Sequence, residues 1–447
     1  MFWSQTNRRF VLGMLGSAAL AIASGVQARD QAKKGDTAFT IAVIPDTQNY
    51  LDFTHQAKDG FPFDAAKMFM DQMRYVADNV EAKGGDIAFV TALGDIWQHQ
   101  SKPIDPEHEK RGFRRVPNPL LDHHLSPSNR VISEEMPMAR EGYKLLAGLV
   151  PFSVVPGNHD YDAMWTDARQ PPSANATLSD FKTLGQLHVG GLDNFRSVFG
   201  NDSDFFKGKP WYVASHDGGA DSAQIFTAGG LRFLHIGLQF DAPDASLEWA
   251  AQVIRDHPGL PTIIATHDYM NNRAERRPNP ALDANSLDPG DNSPQEVWDK
   301  LISKHDQIFL VLCGHQHGQS IRTDKNDAGH DVLQLLSDYQ GRRQTFLDAG
   351  GKTFLDAGGK PDSWSGIGDG WFRLMRFDLG KEEPTIAVRT YSTHYKKFSR
   401  DEGKYPAWYR DHEQPGMADD KFHDMDDFVI VLKDFRARFM EGRRFAQ

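Results

Sequence analysis

Nine residues of this chain have the side-chain types of a metal centre: Asp46, Gln48, Asp95, Asn158, His159, Asp160, His267, His315 and His317. They stand in five short stretches: Pro45-Asp-Thr-Gln48, Gly94-Asp95, Gly157-Asn-His-Asp160, Thr266-His-Asp268 and Gly314-His-Gln-His317. Each stretch comes directly after an apolar run. A turn or a helix cap explains any one of them. It does not explain five in succession. Imidazole with carboxylate suits Zn, Mn, Fe, Co or Ni better than Ca or Mg. The donors outnumber the four of a tetrahedral site, so two ions are expected. Two ions about 3.5–4 Å apart need a bridging group, and a carboxylate with two oxygens serves. Asp95 is the best placed bridge, because Gly94 before it lets the backbone approach closely.

The apolar runs set where these residues can lie. Phe39-Thr-Ile-Ala-Val-Ile-Pro45 and Asp86-Ile-Ala-Phe-Val-Thr-Ala-Leu93 are rich in β-branched and apolar residues, as buried strands are. Residues 152–156, 231–237, 262–266 and 308–312 repeat the pattern. Between them, Phe69, Met73, Val76 and Val80 recur at helical spacing within 64–83, with Asp64 as the expected cap. Further helices are expected near 137–149, 246–256 and 294–304. Alternating strands and helices give an α/β fold. Strands at 332–337, 371–378, 385–392 and 428–432 add a β-rich second half, expected to pack against the first sheet. In an open α/β sheet, ligands bind at the carboxyl ends of the strands, and every one of the five stretches stands at such an end.

Two segments break the rhythm. Residues 100–136 are rich in Pro, His and Arg and have no period, so they read as a long insertion loop. Its Arg111, Arg114 and Arg115 fit a solvated face or a phosphate-contacting lid. Residues 345–360 repeat Thr-Phe-Leu-Asp-Ala-Gly-Gly-Lys twice and read as a duplicated hairpin or loop. His99, His123, His124, His188 and His235 read as ordinary surface or core histidines, and Cys313 as a small buried residue. Tyr405, Trp408 and Tyr409 read as packing, and Asp369-Gly-Trp371 as a turn into a strand.

The chain has 447 residues and a net charge of −11, with 39% hydrophobic and 25% charged residues. That is the composition of a folded protein. The acidic balance argues against a nucleic-acid duplex as partner, which calls for a basic face. Arg8-Arg9 precedes an uncharged Ala- and Gly-rich run ending in Val26-Gln-Ala28. Residues 1–28 therefore read as a cleaved signal peptide of twin-arginine type, which places the mature protein in the periplasm or outside the cell with no stable membrane anchor. Residues 29–37 read as a linker, 38–400 as the main domain and 401–447 as an extension packed on it. The sequence does not define the oligomeric state.

In order, DTQ (46–48), GD (94–95), GNHD (157–160), His267 and GHQH (314–317) resemble the calcineurin-like metallophosphoesterase superfamily. The resemblance covers about residues 38 to 340. It implies a four-layer αββα sandwich of two mixed β-sheets with a dinuclear centre at the strand ends. It assigns Asp46, Asp95 and His317 to one divalent transition metal, and Asp95, Asn158, His267 and His315 to the other. Gln48 stands where the family pattern usually has His and is kept as a ligand of the first. The ions would be Mn, Fe or Zn. His159 would act on the substrate's oxygens, oriented by Asp160. The implied activity is hydrolysis of a small phosphate mono- or diester by a metal-bridging hydroxide. One rival is a non-catalytic metal-binding protein that has kept the fold, toward which only Gln48 points. A second is a metallohydrolase acting on non-phosphorus bonds.

Overall fold

A computed structural model describes residues 37–441, apart from 179, 280, 283–287, 289 and 353–365. The signal-peptide reading of residues 1–28 and the second copy of the tandem repeat lie outside the described residues. The strands in chain order are β1 (Ala38–Ile44), β2 (Ile87–Ala92), β3 (Phe152–Val154), β4 (Ala163–Thr166), β5 (Leu187–Gly190), β6 (Tyr212–His216), β7 (Asp221–Ala228) and β8 (Leu231–Gly237). They continue with β9 (Thr262–Ala265), β10 (Ile308–Cys313), β11 (Gly318–Lys325), β12 (Asp331–Asp338), β13 (Trp371–Asp378), β14 (Thr385–Ser392), β15 (Lys397–Phe398) and β16 (Asp427–Val431).

Two seven-stranded sheets form. The first runs β15-β14-β13-β1-β2-β3, with β16 also on β14. Its β1, β2 and β3 are parallel, and β13 joins β1 antiparallel. The second runs β11-β12-β10-β9-β8-β7-β6, with β8, β9, β10 and β12 parallel. Both sheets are therefore mixed.

Alternation along β1 explains the layering. Phe39, Ile41 and Val43 face Phe233, Ile263, Phe309 and Phe377 in the core between the sheets. Ala42 and Ile44 face the other way, against Phe69, Met73 and Tyr143 of helices 66–78 and 136–144. On the far side of the second sheet, Leu247, Val253 and Leu301 from the helical segments 244–256 and 298–302 pack on Ile236, Ile264 and Val311. A strand with both faces buried reads as one continuous apolar run, as β1, β2, β9 and β10 do. The result is the αββα sandwich.

Some local readings change. Asp64 does not cap its helix. Its Oδ1 accepts the Ala57 amide, and the helix starts at Ala66 with no side-chain cap. The first tandem copy is not a hairpin but a short helix, Gln344–Asp348. The 100–136 insertion holds helices at Pro106–Lys110 and Asp122–Leu125 and a π-turn at Val131–Glu135. Strands β4, β5, β6, β7, β11 and β15 are additional to those read from sequence. The segment after 400 adds β16 and a buried ion pair, Arg342 Nε to Glu413 Oε1 at 2.7 Å. Tyr405 and Tyr409 pack with Trp371 in a small core, as expected. Among the described residues, no helix is long and apolar enough to cross a membrane.

Candidate metal centre

β1, β2, β3, β9 and β10 end side by side, and the residues after each meet. The loops are tied by backbone: Asp95 O accepts the amides of Thr47 at 2.9 Å and Gln48 at 2.8 Å. Asp95 lies at the centre. Its Oδ1 accepts the His159 amide at 2.9 Å and stands 3.2 Å from His267 Nε2, while Oδ2 accepts from Gln48 Nε2 at 3.1 Å. His267 donates Nδ1–H to Leu93 O at 2.8 Å, which turns Nε2 inward, 3.1 Å from Asn158 Oδ1. Asp95, His267 and His315 offer ligand atoms within 4.8 Å of one another.

Close approach fixes two glycines here. A Cβ on Gly157 would stand 2.3 Å from Asp95 Oδ1. Gly94 has φ of +102°, and a Cβ there would stand 2.7 Å from Gly157 N. Asp95 and His315 themselves hold left-handed φ of 50° and 67°. Non-glycine residues keep that conformation only where the surroundings impose it, commonly at functional sites.

Two buried atoms of the motif residues have no hydrogen-bond partner among the described residues: Asp46 Oδ1 and His315 Nε2. Unpaired buried polar atoms cost free energy. A lone pair directed at a cation resolves both. The same holds for Gln48 Oε1. The donor set therefore fits a metal ion at Asp95, His267 and His315. Asp46, Gln48 and Asn158 stand beside them, with Asp46 Oδ2 4.0 Å from His267 Nε2, Gln48 on Asp95 and Asn158 on His267. His317 borders the same cleft as Asp95 and His315.

The electrostatics point the same way. Burial raises the Asp46 carboxyl well above its usual range, and Asp338 adds to this. Burial pushes His315 down to about 3, and the charge of His267 adds to this, so its imidazole is neutral, as a metal ligand requires. Burial opposes the charge on Asp95, but His267 and His159 outweigh it and hold the carboxyl below its usual range.

His159 is positioned differently from the expectation. Asp160 does not touch its ring. Asp160 Oδ1 accepts the Ile96 amide at 2.9 Å and Oδ2 the Gly157 amide at 2.8 Å, so this carboxylate clamps two loops together. The ring is fixed by Gln98 O, which accepts Nδ1–H at 2.7 Å. His317 is half-buried, and its amide donates to Asp338 Oδ2 at 3.0 Å.

Sequence reading passed over Asp338 and Gln340. β12 runs parallel to β10, so its carboxyl end opens on the same edge. Asp338 is fully buried and accepts from Gln340 Nε2 at 3.2 Å, and Gln340 Nε2 also reaches Asp46 Oδ2 at 3.3 Å. Gln340 Oε1 accepts from Gln48. The signal was present, because Asp338-Tyr-Gln340 follows a strand as the other motifs do.

A second buried group, Asp52, His99 and Glu135, also has ligand-type side chains. Three of its four carboxylate oxygens already accept hydrogen bonds. Glu135 Oε1 accepts from Phe53 N at 3.1 Å and His99 Nδ1 at 2.7 Å, and Oε2 from Gln98 N at 3.1 Å and His99 N at 3.0 Å. Asp52 Oδ1 accepts from Thr54 N and Oγ1, each at 2.7 Å. Both Glu135 oxygens and Asp52 Oδ1 are thus committed to backbone, imidazole and hydroxyl donors. His188 bonds Asp167 at 2.9 Å, and His235 lies in the core between the sheets, both in ordinary structural roles. Arg111 pairs with Asp288, and Arg114 bonds the Glu109 and Phe113 carbonyls.

Fold and site together define an α/β sandwich with carboxylate, amide and imidazole donors converging at the strand ends. The family model of calcineurin-like phosphoesterases matches residues 39–319, more than half of the 447 residues. The chain belongs to that family. It is 23% identical over 257 residues to the uncharacterized protein YvnB of Bacillus subtilis (strain 168). The match spans 55% of this chain and 15% of the length of YvnB.

Proposed function

We propose that this protein is an exported, metal-dependent phosphoesterase that hydrolyses small phosphate mono- or diesters. The observation that carries this reading is the gathering of Asp95, His267 and His315, whose ligand atoms lie within 4.8 Å of one another, with His315 Nε2 buried and without a hydrogen-bond partner among the described residues. Two bound divalent transition metals, Mn, Fe or Zn, would lower the pKa of a water and offset charge on the phosphoryl oxygens.

The residues divide the remaining work. Asp95 would serve both metal positions, with Asp46, Gln48 and His317 at one and Asn158, His267 and His315 at the other, and it is anchored through its backbone to the Thr47 and Gln48 amides. His159 presents Nε2 to the cleft, because its Nδ1–H is committed to Gln98 O. As an imidazolium it would donate Nε2–H to a substrate oxygen and stabilise charge there in the transition state. Asp160 keeps the two loops carrying Asp95 and Asn158 at fixed separation. No covalent nucleophile is called for.

The test is hydrolysis of 4-nitrophenyl phosphate and bis(4-nitrophenyl) phosphate by Mn-loaded protein, with His159→Ala and Asp95→Ala as controls. Loss of activity in both variants, with metal lost only in Asp95→Ala, is expected. Full metal loading without hydrolysis of any phosphate ester would favour a binding protein or a hydrolase of non-phosphorus bonds. Export rests on residues 1–28, and Arg8→Lys with Arg9→Lys is expected to block it. Continued export of that double variant would remove the twin-arginine reading.

A further inference from the structure

The cleft above the metal centre has two unlike walls. Asp95, Asn158, His159, His315 and His317 line its floor. Leu121, Leu125, Met164, Leu184, Leu187 and Leu282 line the opposite side of the same cavity, which has about 680 Å³ of empty space, part of it open to solvent. Lysine and arginine are absent among the described lining residues.

The apolar wall is built from four separate segments. Leu121 and Leu125 come from the 100–136 insertion, Met164 from β4, Leu184 from the end of the 3-10 turn at Phe181–Thr183 with Leu187 opening β5 just after it, and Leu282 from the chain beyond His267. Hydrogen bonds hold it in place. Asn118 Nδ2 donates to Thr166 Oγ1 at 3.0 Å and Leu184 O at 2.8 Å, and the Leu187 amide donates to Ala281 O at 2.8 Å. Phe181 stands at the mouth, 44% exposed.

Leucines filling a core need no ligand, but these border empty space that opens onto His159 and Asp95. A phosphoryl group seated on the floor must direct one ester substituent along this wall. Against these six side chains sugar hydroxyls or a nucleobase amide would lose water without gaining partners, which on this lining only Asn49, Asn279 and Gln340 could offer beyond the floor, whereas methylenes gain from leaving water. No cationic side chain on the described lining awaits a second phosphate.

We infer that the substrate is a phosphate ester with an apolar alcohol group, an alkyl or acyl-type chain, bound against the Leu121, Leu125 and Leu184 wall. This deepens the phosphoesterase reading of the same site and rests on it.

The test uses the methyl, butyl and hexyl members of two series, alkyl 4-nitrophenyl phosphates and alkyl phosphate monoesters, with 2-hydroxyethyl 4-nitrophenyl phosphate as the polar control. In the series that is cleaved, kcat/KM is expected to rise about threefold for each methylene added. The hexyl-to-methyl ratio is expected to fall toward one in Leu125→Ala and Leu184→Ala. That ratio is read within each variant, so a partial loss of folded protein cancels. Equal kcat/KM for methyl and hexyl esters, or preference for the hydroxyethyl ester, overturns the inference and leaves the phosphoesterase reading standing. No hydrolysis of either series by metal-loaded protein overturns both.

Discussion

Glu135 and His159 are joined through one peptide group. Glu135 Oε2 accepts the His99 amide at 3.0 Å, and Gln98 O, the carbonyl of the same peptide, accepts Nδ1–H of His159 at 2.7 Å. Glu135 is fully buried and ends a π-turn, an irregularity frequent at functional sites. A carboxylate on the insertion thus sets the ring that faces the substrate, without touching it.

Glu135→Gln replaces one acceptor oxygen with an NH2 that meets backbone donors. Stability is expected to fall by about 1–3 kcal/mol. With the ring misplaced, kcat is expected to fall about 10- to 100-fold, with KM and metal content little changed. The deciding measurement is a double-mutant cycle. In a His159→Ala background, Glu135→Gln should cost no further activity. An additive loss would mean that Glu135 acts elsewhere.

Asp338 holds the His317 amide and the Gln340 side chain, and Gln340 reaches Asp46. Asp338→Ala should therefore loosen the position built from Asp46 and His317 and spare the one built from His267 and His315. Metal analysis after dialysis should show about two ions per chain in the parent and about one in the variant, since outer partners set ligand geometry. Unchanged content would show that Asp338 is not needed there.

Gln48 offers a neutral amide where imidazole would bind a transition metal more strongly. Gln48→His is expected to tighten the weaker Mn site by about tenfold, a gain on the scale of one ligand-shell change. Calorimetric titration of metal into apo-protein reads this directly. No change in affinity would place Gln48 outside the metal shell, as a donor to Asp95.

His235 connects the sheets, with Nε2 at 3.1 Å from Thr91 Oγ1 and Nδ1 at 2.9 Å from Gln224 Oε1. Burial pushes it from 6.5 down to about 3, so the folded state keeps it neutral. The unfolded chain then binds one more proton between those values. Stability is full above pH 6.5 and declines as pH falls toward 3, by about 1.4 kcal/mol per pH unit from this residue. Denaturant midpoints of metal-stripped protein should show that slope. His235→Gln should reduce it, and an equal slope in both would assign the acid sensitivity elsewhere.

The sequence alone determined the alternating elements and five of the strand-end motifs. Those signals are local: buried strands read as unbroken apolar runs, and Asp46, Asp95, Asn158, His267 and His315 each follow one directly. Family membership was legible because the order of the motifs survives in one dimension. Three things were decided only by the tertiary structure. Asp338 and Gln340 joined the site because β12 lies parallel beside β10, a pairing that spacing along the chain does not encode. Asp160 went to the backbone amides of Ile96 and Gly157, because a carboxylate between two converging loops finds their donors before it finds a ring. Glu135 came to orient His159, and Leu121 and Leu125 to wall the cleft, because the aperiodic 100–136 insertion takes its shape from the surface it packs on. Contacts between residues distant in sequence depend on that packing, and no local pattern carries it.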